Sequence, residues 1–195
     1  PIEGFIADIY HEGKIIEIQN GNFYKMRDKL KAYLLDHEVT IVLPLYDHKW
    51  NVWIDPETGE VSKKNRCRSG TVYNAFPELY RIKNFLNDDH LHFIFPMLDI
   101  EEYRLLSGWS RDRKHGSDRY DRIPVSFGCE YRIDEIRDYL QFIPPELDDG
   151  FTSADFARAA GISRDLADVT LNILYFTGNV IRTGKKGRSW LYNIF

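Results

Sequence analysis

The chain has 195 residues, with 26 Lys and Arg against 30 Asp and Glu, a formal net charge of −4. Its 43% hydrophobic and 14% aromatic content excludes global disorder. No apolar run approaches the ~20 residues of a membrane span, and no signal peptide is visible. The length suits one domain or two small ones. The two cysteines, Cys67 and Cys129, are far apart and lack metal-ligand spacing, so they read as free thiols of a reducing compartment and a cytoplasmic protein is expected.

In chain order, Phe5 to Tyr10 reads as a strand, His11 to Lys14 as a tight turn and Ile15 to Gln19 as the returning strand. With Glu12-Gly13 as the loop, His11 faces Lys14 and Asp8 falls opposite Glu17. Like charges opposed on a sheet repel. A divalent cation held between two carboxylates relieves them; surface ion pairs with Lys14 or Lys25 are the other reading. Asn20-Gly21-Asn22 then signals a helix start. Phe23, Met26, Leu30 and Leu34 form one face of a helix whose other side carries Lys25, Arg27, Lys29 and Lys31. The apolar, β-branched run Val39 to Leu45 suits a buried strand beside a parallel neighbour.

This order of strand with Asp8, hairpin, strand with Glu17-Ile18-Gln19, helix and strand resembles the core of the PD-(D/E)XK, or restriction-endonuclease-like, nuclease superfamily. The resemblance covers about residues 1 to 46 and rests on a short motif. It implies Mg²⁺ or Mn²⁺ held by Asp8, Glu17 and the backbone carbonyl of Ile18. Gln19 stands where most members have a lysine; it can orient a water but brings no charge. Lys25 and Lys29 of the next helix are the alternatives for that role, unless they are solvated surface residues. Related cores carry an opening helix before the Asp strand; this sequence starts at Pro1 and is read as lacking it. The whole chain is also similar to an uncharacterised bacterial family that joins such a core to a C-terminal winged helix.

Further on, Lys49 to Ile54 alternates as a strand and turns through Asp55 to Gly59 into Glu60-Val61-Ser62. The cluster Lys63, Lys64, Arg66 and Arg68 follows, either a phosphate contact or a solvated loop. A helix is expected from Thr71 or Asn74 to Leu86, and an apolar strand from His90 to Leu98. His90 and His92, with Asp88 and Asp89 beside them, have a spacing that permits metal, although paired surface histidines are commoner. Glu101 to Leu106 reads as helix, Trp109 to Arg122 as a basic, mobile loop, and Ile133 to Phe142 as a short helix. Pro144 to Gly150 is a linker.

The remaining segment, 151–195, holds six basic and three acidic residues against an acidic body. Thr152 or Ser153 opens one helix, Gly161 ends it, and Ser163 caps a second that runs to about Thr177. Two strands joined by Gly184-Lys185-Lys186-Gly187-Arg188 follow. Helix, turn, helix and basic-tipped hairpin is the winged-helix arrangement, with Arg164 on the second helix and Lys185, Lys186 and Arg188 on the wing as DNA-contact candidates. Winged helices also serve protein contacts, and this second helix is poor in base-reading side chains.

The sequence thus predicts an α/β (α+β) protein: a restriction-endonuclease-like mixed-sheet domain at 1–143, a linker at 144–150 and a winged helix at 151–195. The expected function is metal-dependent hydrolysis of DNA by Asp8, Glu17 and Gln19, with Lys63, Lys64, Arg66 and Arg68 as further DNA contacts. A homodimer and a protein partner on the winged helix remain open. The competing readings are a non-catalytic nuclease-fold protein binding DNA or protein, and a winged-helix transcriptional regulator.

Overall fold

The structure, a computed structural model, describes residues 1–107 and 118–195, and the side chains of Arg66, Cys67 and Arg68 fall outside that description. The strands are β1 (Ile9–His11), β2 (Lys14–Ile18), β3 (Glu38–Val42), β4 (Leu45–Ile54), β5 (Asn65–Ser69), β6 (Leu91–Leu105), β7 (Asp118–Ile133), β8 (Val180–Lys186) and β9 (Ser189–Ile194). The α-helices are α1 (Arg27–Tyr33), α2 (Phe76–Arg81), α3 (Ser153–Ala160) and α4 (Arg164–Phe176), with 3-10 turns beside the first two and at Ile136–Phe142. The chain forms two compact units: residues 1–43, 73–95 and 131–195, and residues 44–72 and 96–130. The segment 151–195 therefore falls within the first unit. Strands pair both parallel and antiparallel, so the chain is of mixed α/β class.

In the first unit, β1 and β2 form an antiparallel hairpin in which His11 faces Lys14 and Ile9 faces Ile16. The loop residues Glu12 and Gly13 both have positive φ, 47° and 82°. That is the type I′ geometry whose twist matches a two-residue hairpin; Gly13 adopts it without steric cost. The chain then crosses through α1 and returns as β3, parallel to β2, and β3 pairs in parallel with the start of β6. The registers Ile15 with Val39 with Leu91, and Glu17 with Ile41 with Phe93, put six side chains on one sheet face. All six are buried. Leu30 and Tyr33 of α1 and Phe76 and Leu79 of α2 are buried as well, each aliphatic or aromatic side chain removed from water contributing about 1.5–3 kcal/mol.

The tail helices start where side-chain chemistry dictates. Thr152 caps α3: its Oγ1 accepts from the Asp155 N–H at 3.3 Å, and the Asp155 carboxylate accepts from the Thr152 N–H at 3.0 Å. Ser163 Oγ accepts from the Leu166 N–H at 3.3 Å and starts α4. Tyr73 meets Phe156 edge-on, and the Lys83 ammonium donates to Asn172 at 2.6 Å. The predicted turn at 184–188 tightens: β8 continues through Lys186, with an irregularity between Arg182 and Gly184.

In the second unit, β4 runs parallel to the later part of β6 and antiparallel to β5. A Cβ on Gly70 would lie 1.8 Å from the Tyr46 carbonyl oxygen, so only glycine fits there. The basic stretch expected as a loop is strand at Asn65–Ser69. Glu101 to Leu106, expected as helix, is strand through Leu105, and Asp118 to Arg122, expected as loop, is strand in β7. The acids of Glu101-Glu102 resemble a helical surface, but strand alternation sends them to opposite faces, where each finds cations. Trp109, Arg111, Arg113, Lys114 and His115 lie outside the described residues. Cys129 is a free, exposed thiol. Among the described residues no helix is long and apolar enough to cross a membrane.

Candidate active site and charged clusters

The hairpin brings Asp8 and Glu17 to one end of the sheet in different environments. Asp8 precedes β1 and is exposed; its Oδ2 accepts the backbone N–H of Ile18 at 2.8 Å. In a strand, the N–H and C=O of one residue point to the same edge, so the Ile18 carbonyl faces the Asp8 side. Glu17 shares the inward face with Ile15 and is 0% exposed. A buried carboxylate needs a partner, and α1 supplies it: Lys29 Nζ donates to both Glu17 oxygens at 2.7 Å. The Lys29 side chain is only 20% exposed, so the pair is shielded from solvent. Gln19 Nε2 donates to Glu17 Oε2 at 3.4 Å, a weaker bond.

One turn beyond Lys29 lies Tyr33, whose ring centroid is 5.9 Å from Nζ. Its hydroxyl is enclosed and has no hydrogen-bond partner. Burial, then the charges of Glu17 and Asp8, push the phenol above its ordinary pKa. No motif marks Tyr33, and its place four residues after Lys29 on one helix is the signal that finds it. His90 and His92 go elsewhere: His90 sits 3.6 Å from Asp88, and His92 Nδ1 is 3.1 Å from the Asp134 carbonyl.

In the tail, Lys185, Lys186 and Arg188 are exposed on the hairpin, and exposed Arg164 donates to Ser189 Oγ at 3.2 Å. Asp165 and Asp168 are also exposed on α4. Arg182, which no sequence motif marks, places its guanidinium 4.4 Å from the Tyr175 ring centroid and 4.8 Å from that of Trp190. Lys185 sits 4.3 Å over Trp190.

The second unit holds two buried acids that the sequence disguised. Glu101 pairs with Lys64 and accepts the Tyr103 hydroxyl at 2.8 Å, which holds its carboxyl below the usual range. Lys64, a phosphate candidate, is thus tied to an acid; it and Lys63 are both exposed. Glu102 is 1% exposed and meets Arg122 at 2.7 Å, Arg104 at 2.9 Å, Lys49 at 3.2 Å and Arg119 at 3.5 Å. Burial pulls its pKa up, but Arg122, Arg104 and Lys49 outweigh it and hold it at about 2. Nearby, ligand atoms of Asp47, His48 and Asp99 lie within 4.8 Å of one another. Asp99 is already engaged there: Oδ1 lies 3.0 Å from His48 Nδ1 and Oδ2 accepts from Ser126 Oγ at 2.7 Å, interactions that keep its carboxyl below the usual range.

A protein of Treponema pallidum (strain Nichols), described as an uncharacterized protein, is 24% identical over 116 residues. The match takes in 58% of this chain and 46% of that protein, so it spans about half of the relative's length. No solved structure matches the chain. A family model matches residues 1–134, the hairpin, α1, both buried acids of the second unit and the strands that carry them. The chain belongs to the family described as Domain of unknown function (DUF8091).

Proposed function

We propose that the protein is a Mg²⁺- or Mn²⁺-dependent DNA nuclease with a restriction-endonuclease-like core, and that residues 151–195 act as a winged helix that holds the duplex. The observation that carries this reading is Lys29. The resemblance calls for a lysine beside the motif acids, Gln19 lacks the charge, and α1 delivers an ammonium 2.7 Å from both Glu17 oxygens. The donors suit a hard divalent ion: Asp8, Glu17 and the Ile18 carbonyl are all oxygen ligands. The enclosed, unpartnered Tyr33 hydroxyl beside them fits the same assignment, because a water on a bound ion would give it a partner.

Asp8, Glu17 and the Ile18 carbonyl would hold the ion. When bound, it supplies Lewis acidity toward the phosphoryl oxygen and lowers the pKa of its water. Lys29 would stabilise negative charge on the phosphate in the transition state, and Gln19 would orient the attacking water. Arg164, Lys185, Lys186 and Arg188 would contact backbone phosphates, and Lys63, Lys64, Arg66 and Arg68 would serve as further contacts.

The test is cleavage of plasmid DNA with Mn²⁺ by the wild type, Glu17→Gln and Lys29→Met. Each substitution is expected to reduce the rate by at least about a hundredfold. Absence of wild-type cleavage across metals and salt concentrations would overturn the nuclease reading. A gel shift with Lys185, Lys186 and Arg188 neutralised tests the wing, and unchanged affinity would assign the tail to a protein contact.

A second reading has its own observation. Lys29 neutralises Glu17 without any metal, so the same fold could bind DNA or a protein without cutting. Mn²⁺ titration separates the two: binding by the wild type, lost in Asp8→Asn, favours catalysis, and no Mn²⁺ binding favours the binding protein or a regulator.

A further inference from the structure

Four cations gather on one carboxylate in the second unit, and this excess asks for another anion. Lys49, Arg119 and Arg122 all converge on Oε2 of Glu102, while Arg104 takes Oε1. Sharing one oxygen holds the three converging nitrogens within about 7 Å of one another, and one buried negative charge cannot balance them. Among the described residues, the other nearby acids have partners of their own, Asp118 accepting from Ser107 Oγ at 3.1 Å. Glu101 follows Glu102 on the strand and therefore points to the opposite sheet face, where Lys64 and Tyr103 hold it. Asp121 accepts the backbone N–H of Arg122 at 2.7 Å.

The surroundings suit an oxyanion. The register aligns Lys49 with Ile100, Asn51 with Glu102 and Trp53 with Arg104, so these side chains share one face of the parallel pair. The Asn51 Oδ1 is enclosed with no hydrogen-bond partner. Turned over, the same amide offers two N–H donors, and its two orientations have the same shape. Arg119 and Arg122 are 54% and 46% exposed, so their outward N–H groups can reach a ligand from solvent. Lys49 and Arg104 are anchored more deeply, at 15% and 27%.

We infer that this cluster is a binding site for a phosphate-class oxyanion, with Glu102 as the anchor that holds the cations in convergence. Arginine forks and a lysine point charge are the groups that recognise phosphate oxygens. The oxyanion can be a nucleic-acid backbone phosphate or a free phosphate. The first source rests on the proposed function; the site itself does not.

The experiment uses the full chain in EDTA, so that binding is read without cleavage. Two probes are compared: inorganic phosphate, read by the rise in melting temperature, and a labelled DNA duplex, read by anisotropy at several salt concentrations. Phosphate is expected to raise the melting temperature of the wild type and not of Arg119→Gln/Arg122→Gln. The double substitution should also lower the slope of log affinity against log salt by about 2. Arg119→Gln alone, at the longest contact, gives the same comparison with the core untouched and a slope change of about 1. Lys31→Gln, on α1, is the control and should change neither readout beyond a general charge effect. A lost phosphate response with unchanged duplex binding supports the site and assigns it to free phosphate. A wild type indifferent to phosphate, with duplex affinity and slope equal in wild type and double variant, overturns the proposal. Both probes are read in EDTA, so a protein that cuts no DNA would leave this result standing.

Discussion

Glu17 in the first unit and Glu102 in the second are both buried carboxylates on strands, and they are neutralised in opposite ways. Glu17 has one ammonium, Lys29, on both oxygens, so the charges balance. Among the described residues Glu102 meets four cations, so around this carboxylate positive charge is in excess. The difference is instructive because burial costs are similar and only the stoichiometry of partners differs. A balanced pair is self-sufficient and makes each partner indispensable to the other. An overcharged cluster tolerates the loss of one cation and has binding capacity left for a ligand.

The sharpest way to break the comparison is Lys29→Met. It leaves Glu17 buried with only a long contact to Gln19, and the expected cost is about 3–5 kcal/mol, read by denaturant unfolding. Combining it with Glu17→Gln should restore most of that loss, because no uncompensated charge remains. A Lys29→Met protein within about 1 kcal/mol of the wild type would mean that Glu17 has another partner.

Glu102→Gln should cost less, about 2–3 kcal/mol, and its signature is pH dependence. The carboxyl is held at about 2 in the folded protein, below its unfolded value. Its stabilisation is therefore fully present above about pH 4.5 and is lost as pH falls toward 2. In unfolding measured from pH 6 to pH 2, Glu102→Gln should flatten that part of the acid-induced loss. An unchanged acid profile would show that Glu102 gains no net stabilisation from its four cations.

Smaller effects sharpen the contrast. Asp8→Ala removes an acceptor from the Ile18 N–H and should cost about 1 kcal/mol, since water can replace a bond at an exposed position. Arg119→Gln should cost less than about 0.5 kcal/mol, because the other three cations still hold Glu102 and the lost group is half exposed. Thermal unfolding of both variants under one buffer would rank them; a larger loss for Arg119→Gln would reverse the picture of a redundant cluster.

Local patterns made the first unit largely legible. The hairpin register, with His11 against Lys14, follows from Glu12-Gly13. The apolar spacing from Phe23 onward marks α1, and the β-branched run from Val39 marks β3, parallel to β2. Thr152 and Ser163 start α3 and α4 as capping chemistry demands. The second unit was harder to read. Glu101-Glu102 between apolar and basic residues looks like a solvated helix, because nothing local says that Lys64, Lys49, Arg119 and Arg122 arrive from distant segments of the chain.

Alone, the order of residues determined where the chain turns, which faces are apolar and that Asp8 flanks the strand paired with the one that carries Glu17. Only the tertiary structure decided that Lys29 closes on Glu17, that Tyr33 is enclosed next to Lys29 and that four cations converge on Glu102. The reason is range: turns, caps and periodicity act over a few residues, whereas the partner of a buried charge is chosen by strands and helices that meet only when the sheet has assembled.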